Sequence, residues 1–220
     1  MRMKIVAVVP IKLNSERLPN KNIKVFEGGM PLCYYIFKTL KRLRGVDEIY
    51  VYCSDTRVID YVPSGVRFLQ RSENLDKNTT KINEVLSAFA NDVVADVYVM
   101  THATSPFIKS DSIQRGLDAV KEGGYDSAFA VKKIQDFLWK DGRPLNYDLD
   151  NIPRSQDIEP LWEETSGFYI YERGVIMEKN RRIGDKPYMV EVNGIEATDI
   201  NTPEDWEIAN TLFKAMGDKL

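Results

Sequence analysis

KIVAVVPIKLNSERLPNKN, residues 4–22, sets the architecture of the chain, because an apolar run leads directly into a polar loop that carries three cations. The apolar part, residues 4–9, does not alternate with polar positions, which is typical of a strand covered on both faces of a sheet. The cations are Lys12, Arg17 and Lys21, five and four residues apart. Such a loop either binds an anion or is simply solvated, and the loop alone does not decide between these alternatives.

Further apolar runs of strand length alternate with helical patterns. A helical pattern follows Pro31, and a later one ends at Gly123 and Gly124. Strands are predicted at residues 48–53, 66–70, 96–100, 127–131, 165–172 and 187–192, and intervening helices at 82–93 and 112–120. This alternation predicts an α/β fold with a mainly parallel sheet flanked by helices and with ligands at the carboxyl ends of the strands. The cationic loop lies at that edge.

Length and composition limit both the number of domains and the class of function. The 220 residues, 43% of them hydrophobic, fit a single domain, 1–220, with a substantial core. A net charge of −3 argues against a general nucleic-acid binder. No apolar run approaches the roughly 18 residues of a membrane span, and no signal peptide is recognisable, so we expect a cytoplasmic protein outside the membrane. Cys33 and Cys53 lack metal-ligand spacing and are expected to be buried, reduced thiols.

The alternation breaks after residue 131. The segment from about 133 to 163 is rich in Pro, Asp and Asn, and it contains Trp139 and Trp162. Linkers rarely carry such large apolar side chains, which need a surface to cover. We therefore expect a protruding arm or lid at 133–163 and a symmetric homodimer built on it. The chain then ends in a helix with Thr202 as its N-cap, Pro203 as its first residue and Asp205 as the acidic partner of the cap.

The cationic loop lacks both G-x-G-x-x-G and G-x-x-x-x-G-K-[ST], so phosphate binding there rests on charge. A triphosphate needs its negative charge neutralised. Cations fixed beside a departing pyrophosphate also stabilise the charge that develops as the bond breaks. Lys12, Arg17 and Lys21 suit that role.

Four stretches, in order along the chain, resemble the acylneuraminate cytidylyltransferases, which activate sialic acid and related acidic sugars. The family loop R-x-x-S-(K/T)-x-x-P-x-K-N matches KLNSERLPNKN (12–22) with Lys12 in place of Arg, and the ketodeoxyoctonate enzymes have a similar S-T-R-L-P-G-K. The other matches are THATSPF (101–107) to L-Q-P-T-S-P-(L/F), SGFYIYE (166–172) to N-G-A-(I/F)-Y-I, and DINTPEDW (199–206) to D-I-D-T-x-(E/D)-(D/L). Each motif alone is weak, but their order over residues 4 to 208 is specific.

The resemblance implies a Rossmann-like nucleotidyltransferase fold and a set of nucleotide contacts. Lys12, Arg17 and Lys21 become the catalytic cradle of the triphosphate. The implied nucleotide-binding residues are Lys12, Ser15, Arg17, Lys21, Asn22 and Arg71. Without the resemblance, Arg71 would be an ordinary surface arginine after a strand.

The acceptor contacts are implied by two other segments. In THATSPF, His102 stands where the family usually has Gln, with Thr104 and Ser105 beside it; a lone histidine is otherwise more often structural. On the arm, Arg154 matches a family arginine that approaches the active site, often in the neighbouring subunit. Lys140 and Gln156 are weaker candidates of the same kind. The carboxylate of an acidic sugar suits a guanidinium group.

The implied metal site is the pair Asp199 and Asn201. Two residues apart on an extended segment, they point the same way and can share one Mg²⁺ with the triphosphate oxygens. The family usually has two aspartates here and often an Asp at the position of Asn78. The alternative is structural, with Asp199 in a turn and Asn201 beside the helix cap.

Together these matches imply transfer of CMP from CTP to the hydroxyl of an acidic, sialic acid-like sugar, with Mg²⁺ as cofactor and diphosphate released. Positioning and charge neutralisation would carry most of the catalysis. The sequence shows no strong general base, which leaves a metal-lowered hydroxyl pKa or His102. The alternatives are transfer to a sugar phosphate, an alcohol phosphate or a phosphonate, and a nucleotide-binding protein without turnover. The preference for cytidine comes from the resemblance alone.

Overall fold

The computed structural model describes residues 2–26 and 28–216. The strands within them are β1 (Ile5–Pro10), β2 (Glu48–Cys53), β3 (Arg67–Gln70), β4 (Val97–Thr101), β5 (Ser127–Ile134), β6 (Trp139–Lys140), β7 (Arg143–Pro144), β8 (Leu161–Glu172) and β9 (Pro187–Glu191). The helices are α1 (Leu32–Leu40), α2 (Ile82–Asp92), α3 (Ser110–Glu122), α4 (Arg173–Met177) and α5 (Pro203–Met216). The predicted strands are all present, whereas α4 was not predicted because five residues give too little helical periodicity.

Seven strands form one sheet in the order β3-β2-β1-β4-β8-β5-β9. β8 runs antiparallel to both of its neighbours, β4 and β5, and the other pairs are parallel. The predicted α/β fold with a mainly parallel sheet is therefore confirmed. The direction of β8 brings its N-terminal half to the edge where β1 and β4 end.

β1 lies between two layers of helices, one on each face of the sheet. Ile5, Ala7 and Val9 pack on the side of α1 and α3, while Val6 and Val8 pack on the side of α2 and α4. Burial on both faces explains why the strand has no polar positions. On α3, a Cβ atom at Gly116 would lie 3.0 Å from the Phe168 ring, so the missing side chain lets the helix approach β8 closely.

Cys33 and Cys53 are free and buried, as expected. Burial raises the pKa of Cys33 to about 12, which keeps its thiol protonated. Among the described helices, none is long and apolar enough to cross a membrane.

The segment predicted to be an arm contains strand structure at its two ends and a small hairpin between them, and the rest is turns and irregular chain. β5 and β8 extend beyond the sheet edge and stay paired as far as Ile134 and Leu161. Between them, β6 and β7 form a small hairpin. The Tyr147 ring packs edge-on against Phe137 at 4.9 Å between ring centroids. Even so, several large apolar side chains of the segment are exposed, namely Phe137, Trp139, Leu145, Leu149, Ile152, Leu161 and Trp162.

The start of α5 has the predicted capping arrangement. The Asp205 amide donates to the Thr202 hydroxyl at 3.2 Å, and the Asp205 carboxylate accepts from the amides of Asn201 and Thr202 at 2.9 and 2.8 Å. These backbone donors hold the pKa of Asp205 below its usual range. The reciprocal bonds fix the backbone immediately after Asp199.

Replacing Thr202 with Ala removes the hydroxyl that caps α5. We expect the free energy of unfolding to fall by about 1 kcal/mol, as for other N-cap residues. Thr211→Ala is a matched control, because within residues 2–26 and 28–216 the Thr211 hydroxyl bonds to the Glu207 carbonyl of the same helix, where Ala is tolerated. Urea denaturation measures both variants, and an equal loss in the two would contradict the capping role.

Candidate active site

The candidate site lies where loops leave the carboxyl edge of the sheet. The loop after β1, the turn after β4 and the segment between β9 and α5 meet there. Three neighbouring cavities of about 340, 260 and 260 Å³ open at this edge, and Lys12 lines all three. A larger cavity of about 600 Å³ lies between the ends of β2 and β3. Its lining includes the carboxylates of Asp55, Glu73 and Asp76, which makes it a poor site for a polyanion.

The β1 loop is anchored by buried apolar side chains, of which Ile11 and Leu13 lie in the main core. Leu18 is buried against Phe26, Phe107 and Trp206. Two residues later, Asn20 takes a left-handed conformation (φ 55°), and the amide of Ile23 bonds back to its carbonyl at 3.0 Å. The loop therefore turns back at Asn20 next to the buried Leu18. This turn places its cations beside the cavities.

All three loop cations donate to uncharged oxygens. Lys12 Nζ bonds to Asn78 Oδ1 at 2.7 Å, and an Arg17 nitrogen bonds to Asn201 Oδ1 at 3.0 Å. Lys21 Nζ bonds to the Ile200 carbonyl at 2.7 Å. Among the described residues, none of these cations forms an ion pair with a carboxylate. Their positive charge is therefore available to a bound anion.

Lys21 is the buried member of the three, with 9% of its surface exposed. Burial lowers the pKa of Lys21, and the negative charge of Asp199 opposes that shift. A buried ammonium without a carboxylate partner is costly, and a phosphate group would offset that cost. The solvated alternative therefore does not describe Lys21, although it fits the exposed Arg17.

The cavity beside β3 is reached by Arg71. Its guanidinium is buried, pairs with Asp76 at 2.8 Å and lies 6.0 Å from the Tyr52 ring. The alternative of a surface arginine is thus excluded. Residues from the start of α2 complete the lining, which consists of Pro10, Lys12, Arg71, Leu75, Lys77, Asn78, Thr80, Ile82 and Val85. This mixture of apolar walls and edge polar groups suits a flat heterocycle.

The cavity beside β4 brings together most of the remaining predicted residues. Its lining consists of Pro10, Lys12, Ser15, Lys21, Asn22, His102, Ala103, Thr104, Ser166, Asp199 and Asn201. Asn22 donates to the Lys12 carbonyl at 2.9 Å, while its Oδ1 atom is buried without a partner among the described residues. Ser105, also predicted to contact the acceptor, is only 1% exposed and is not part of this lining.

His102 is neutral at physiological pH. Burial lowers the pKa of His102 to about 4, with the charge of Asp199 opposing and those of Arg182 and Lys21 adding to the shift. Its ring meets the Tyr169 ring edge-on, 6.5 Å between centroids. A histidine with this pKa is a hydrogen-bonding side chain and a weak general base.

Asp199 and Asn201 do lie side by side, as the period of two predicted. Asn201 Nδ2 donates to Asp199 Oδ2 at 2.6 Å, and Asp199 Oδ1 is buried without a partner among the described residues. Groups of three or more His, Cys, Asp or Glu side chains with metal-binding geometry do not occur in the described part of the chain. The orphaned Asp199 oxygen nevertheless fits a Mg²⁺ ion, which takes most of its ligands from phosphate and water. The Asn201 amide oxygen accepts from Arg17 and Lys21, so the amide would have to turn to join Asp199 as a ligand.

Glu196 holds the segment that carries this pair, and sequence analysis missed it. Its buried carboxylate accepts from the Lys109 amide at 3.2 Å and the Ser112 hydroxyl at 2.7 Å, at the N-terminus of α3. Further along, the Ile200 amide bonds to the Thr104 carbonyl at 2.9 Å. These contacts join residues more than 80 positions apart, so no local pattern could reveal them.

The arm candidates are not brought to the cavities within this chain. Arg154 is exposed and pairs with Asp157 at 2.6 Å. Lys140, in the hairpin, and Gln156 are also exposed. None of the three lines the cavities described above. The residues predicted to contact the acceptor therefore lie in two separate places, after β4 and on the arm.

Solved structures share this architecture. A CMP:2-keto-3-deoxy-manno-octonic acid synthetase complexed with CTP matches 97% of this chain and 100% of its own, with a TM-score of 0.74 and 19% identity. A 4-diphosphocytidyl-2C-methyl-D-erythritol synthase from Anaerococcus prevotii matches 96% of both chains, with a TM-score of 0.69 and 13% identity. These likenesses show that the chain shares the Rossmann-like fold of these proteins.

The chain belongs to the cytidylyltransferase family, whose model matches residues 6–212. N-acylneuraminate cytidylyltransferase of Oncorhynchus mykiss is 28% identical over 224 residues, which cover 97% of this chain and 51% of that protein. CMP-N,N'-diacetyllegionaminic acid synthase of Legionella pneumophila is 27% identical over 228 residues, 96% of this chain and 97% of that protein. The chain spans about half the length of the fish relatives it matches. The predicted family resemblance is confirmed.

If the loop cations bind a triphosphate, Arg17→Ala should weaken CTP binding about 10- to 100-fold, because one charge-assisted hydrogen bond is worth roughly 1.5–3 kcal/mol. Lys21→Ala should weaken it as much, because the Lys21 ammonium is buried beside the cavities. Lys24→Ala is the matched control, because this exposed cation lies over the Trp206 ring instead. Isothermal titration with CTP measures all three. Unchanged CTP affinity in both the Arg17 and the Lys21 variants would show that these loop cations are solvated and do not bind the triphosphate.

Proposed function

We propose that this protein transfers CMP from CTP to the hydroxyl of an acidic, sialic acid-like sugar, with Mg²⁺ as cofactor and diphosphate as the second product. The observation that carries the proposal concerns the part of the chain that the structure describes. There the loop cations bond to neutral oxygens alone and lie near the Asp199 carboxylate, which has a buried oxygen without a partner. That arrangement is complementary to a metal-bound triphosphate. Family membership supports the choice of cytidine.

In this proposal the acceptor hydroxyl attacks the α-phosphorus, and the bond from that phosphorus to the pyrophosphate oxygen breaks. Lys12, Arg17 and Lys21 hold the phosphates and stabilise the charge on the departing pyrophosphate. Arg71 lines the neighbouring cavity, where the base would lie. The site therefore acts by positioning and charge neutralisation.

Asp199 and Asn201 would hold the metal ion. When bound, Mg²⁺ would neutralise phosphate charge and lower the pKa of the attacking hydroxyl. His102 contributes a neutral hydrogen-bonding group to the same cavity, which suits orientation of the acceptor better than removal of its proton.

The acidic sugar is supported by the relatives, which are named for N-acylneuraminate, legionaminic acid and octulosonate substrates. Because the chain spans about half of the first of these proteins, its activity has to be tested directly. The cavity beside β4, about 260 Å³ and lined mainly by polar groups, suits a hydroxylated ring, and we call it the acceptor cavity.

The test supplies purified protein, Mg²⁺ and each of the four nucleoside triphosphates with a panel of acidic sugars, phosphorylated alcohols and phosphonates. Pyrophosphate release with CTP and an acidic sugar is the expected result, with the CMP-sugar identified by mass. Pyrophosphate release only with a phosphorylated alcohol or a phosphonate would show that the acceptor is that compound class and not an acidic sugar. Tight CTP binding without release from any mixture would identify a binding protein.

Substitutions at Asp199 and Asn201 should differ in their effect on the rate. Asp199→Asn should lower the rate about 10-fold or more, because Mg²⁺ prefers carboxylate oxygen, and Asn201→Ala should cost less. Asn201→Asp replaces a hydrogen bond to Asp199 with carboxylate repulsion that a cation relieves. We therefore expect this variant to need less Mg²⁺ for half-maximal rate at fixed CTP.

Thermal unfolding with and without Mg²⁺ provides a second readout of the same pair. The Asn201→Asp variant should gain more thermal stability from Mg²⁺ than the unaltered protein does. An Asp199→Asn protein with unchanged rate and metal dependence would show that the ligands lie elsewhere.

We also propose a homodimer built on the arm, whose exposed apolar side chains exceed what a monomer usually leaves in water. Light scattering at micromolar concentration should give the mass of two 25.3 kDa chains. Trp139→Ser combined with Ile152→Asp should shift the mass to one chain. Val94→Asp, at an exposed valine outside the arm, serves as the control. A monomeric mass with full activity would contradict the proposal.

A further inference from the structure

A charged pair that none of the roles above uses lies one contact away from the residues that line the acceptor cavity. Arg182, in the loop between α4 and β9, places its guanidinium carbon 3.7 Å from the centroid of the Tyr169 ring. The same guanidinium donates to Glu164 Oε1 at 3.0 Å. The Tyr169 hydroxyl donates to that oxygen at 2.6 Å. Arginine, tyrosine and glutamate thus form one connected unit.

The loop that carries Arg182 is fixed at two places. Asn83, at the start of α2, donates to the Asn180 carbonyl at 2.8 Å. At the other end, the Asp126 carboxylate accepts from the amides of Asp185 and Lys186 at 2.7 and 3.1 Å. Because both ends are tied to helix and strand, the position of the guanidinium is set by the fold.

This unit adjoins the cavity through its neighbours on two strands. Tyr169 meets His102 edge-on, and His102 lines the cavity. Ser166, which also lines it, lies on β8 between Glu164 and Tyr169. The side chains of Arg182 and Glu164 are 25% and 45% exposed, so a bound molecule can contact them.

We infer that Arg182 and Glu164 form a polar wall that determines which acidic sugar the site accepts, favouring one that presents hydroxyl groups to β8 over one that presents N-acyl methyl groups. The inference rests on the proposed function and specifies its acceptor.

The physical reason is that the wall has unused hydrogen-bonding capacity. A guanidinium has five N–H donors, and the hydrogen bonds described for Glu164 all use Oε1, which leaves Oε2 accessible. A sugar hydroxyl can donate to one partner and accept from the other. An acyl methyl group would take water away from both charges without replacing its hydrogen bonds, and sites built for hydroxyl groups reject such analogues strongly.

The test compares kcat/KM for two sialic acid-like sugars, N-acetylneuraminate as the more hydroxylated one and N,N'-diacetyllegionaminate as the diacylated one. The unaltered protein should favour the hydroxylated sugar. Arg182→Leu, which keeps an apolar contact with the Tyr169 ring, should reduce that preference about 10-fold or more. Glu164→Gln should reduce it in the same direction.

Two neighbouring residues give matched controls. Arg181 pairs with Asp185 at 2.6 Å, and Glu163 pairs with Lys132 at 2.8 Å, so neither takes part in the Tyr169 unit. Arg181→Leu and Glu163→Gln change the same charges and should leave the ratio of the two kcat/KM values unchanged. Thermal unfolding of each variant checks that it is folded.

The outcomes separate the inference from the proposed function. Turnover of acidic sugars with a preference for the diacylated one, or an Arg182→Leu variant that slows both sugars equally, overturns the inference and leaves the proposed function standing. Diphosphate release with none of the acidic sugars overturns both.

Discussion

The hydrogen bond from the buried Lys21 ammonium to the Ile200 carbonyl joins the first loop of the chain to the last segment before α5. Everything at the candidate site depends on this link, because it brings residues 179 positions apart into contact. An interior ammonium is unfavourable unless oxygen atoms surround it. The site therefore holds positive charge in place at a cost in stability, which an anion bound there would repay.

Around that link, the fold supplies three supports of different kinds. Leu18 anchors the loop in an apolar cluster, the Thr202 and Asp205 cap fixes the start of α5, and Glu196 ties the intervening segment to α3. Each acts on backbone rather than on the functional side chains. The side chains that face the cavities thus sit on a rigid frame, which is how positioning lowers a reaction barrier.

The sequence could predict whatever local periodicity or motif order encodes. The β1 run, the spacing of Asp199 and Asn201, and the Thr202 cap all follow from residues within a few positions of one another. The direction of β8 could not be predicted, since an apolar strand pattern reads the same in either sense. Nor could the burial of Glu196 or the contact of Arg182 with Tyr169, because both depend on partners that only the folded chain brings close.

β8 belongs to two structures at once. Its C-terminal half lies in the sheet between β4 and β5, and its N-terminal half continues into the arm beside the end of β5. Glu164 and Ser166 lie between these halves, so the strand that lines the cavity is covalently continuous with the arm. Whatever covers the exposed apolar side chains of the arm would therefore contact the same strand that carries Ser166 into the cavity.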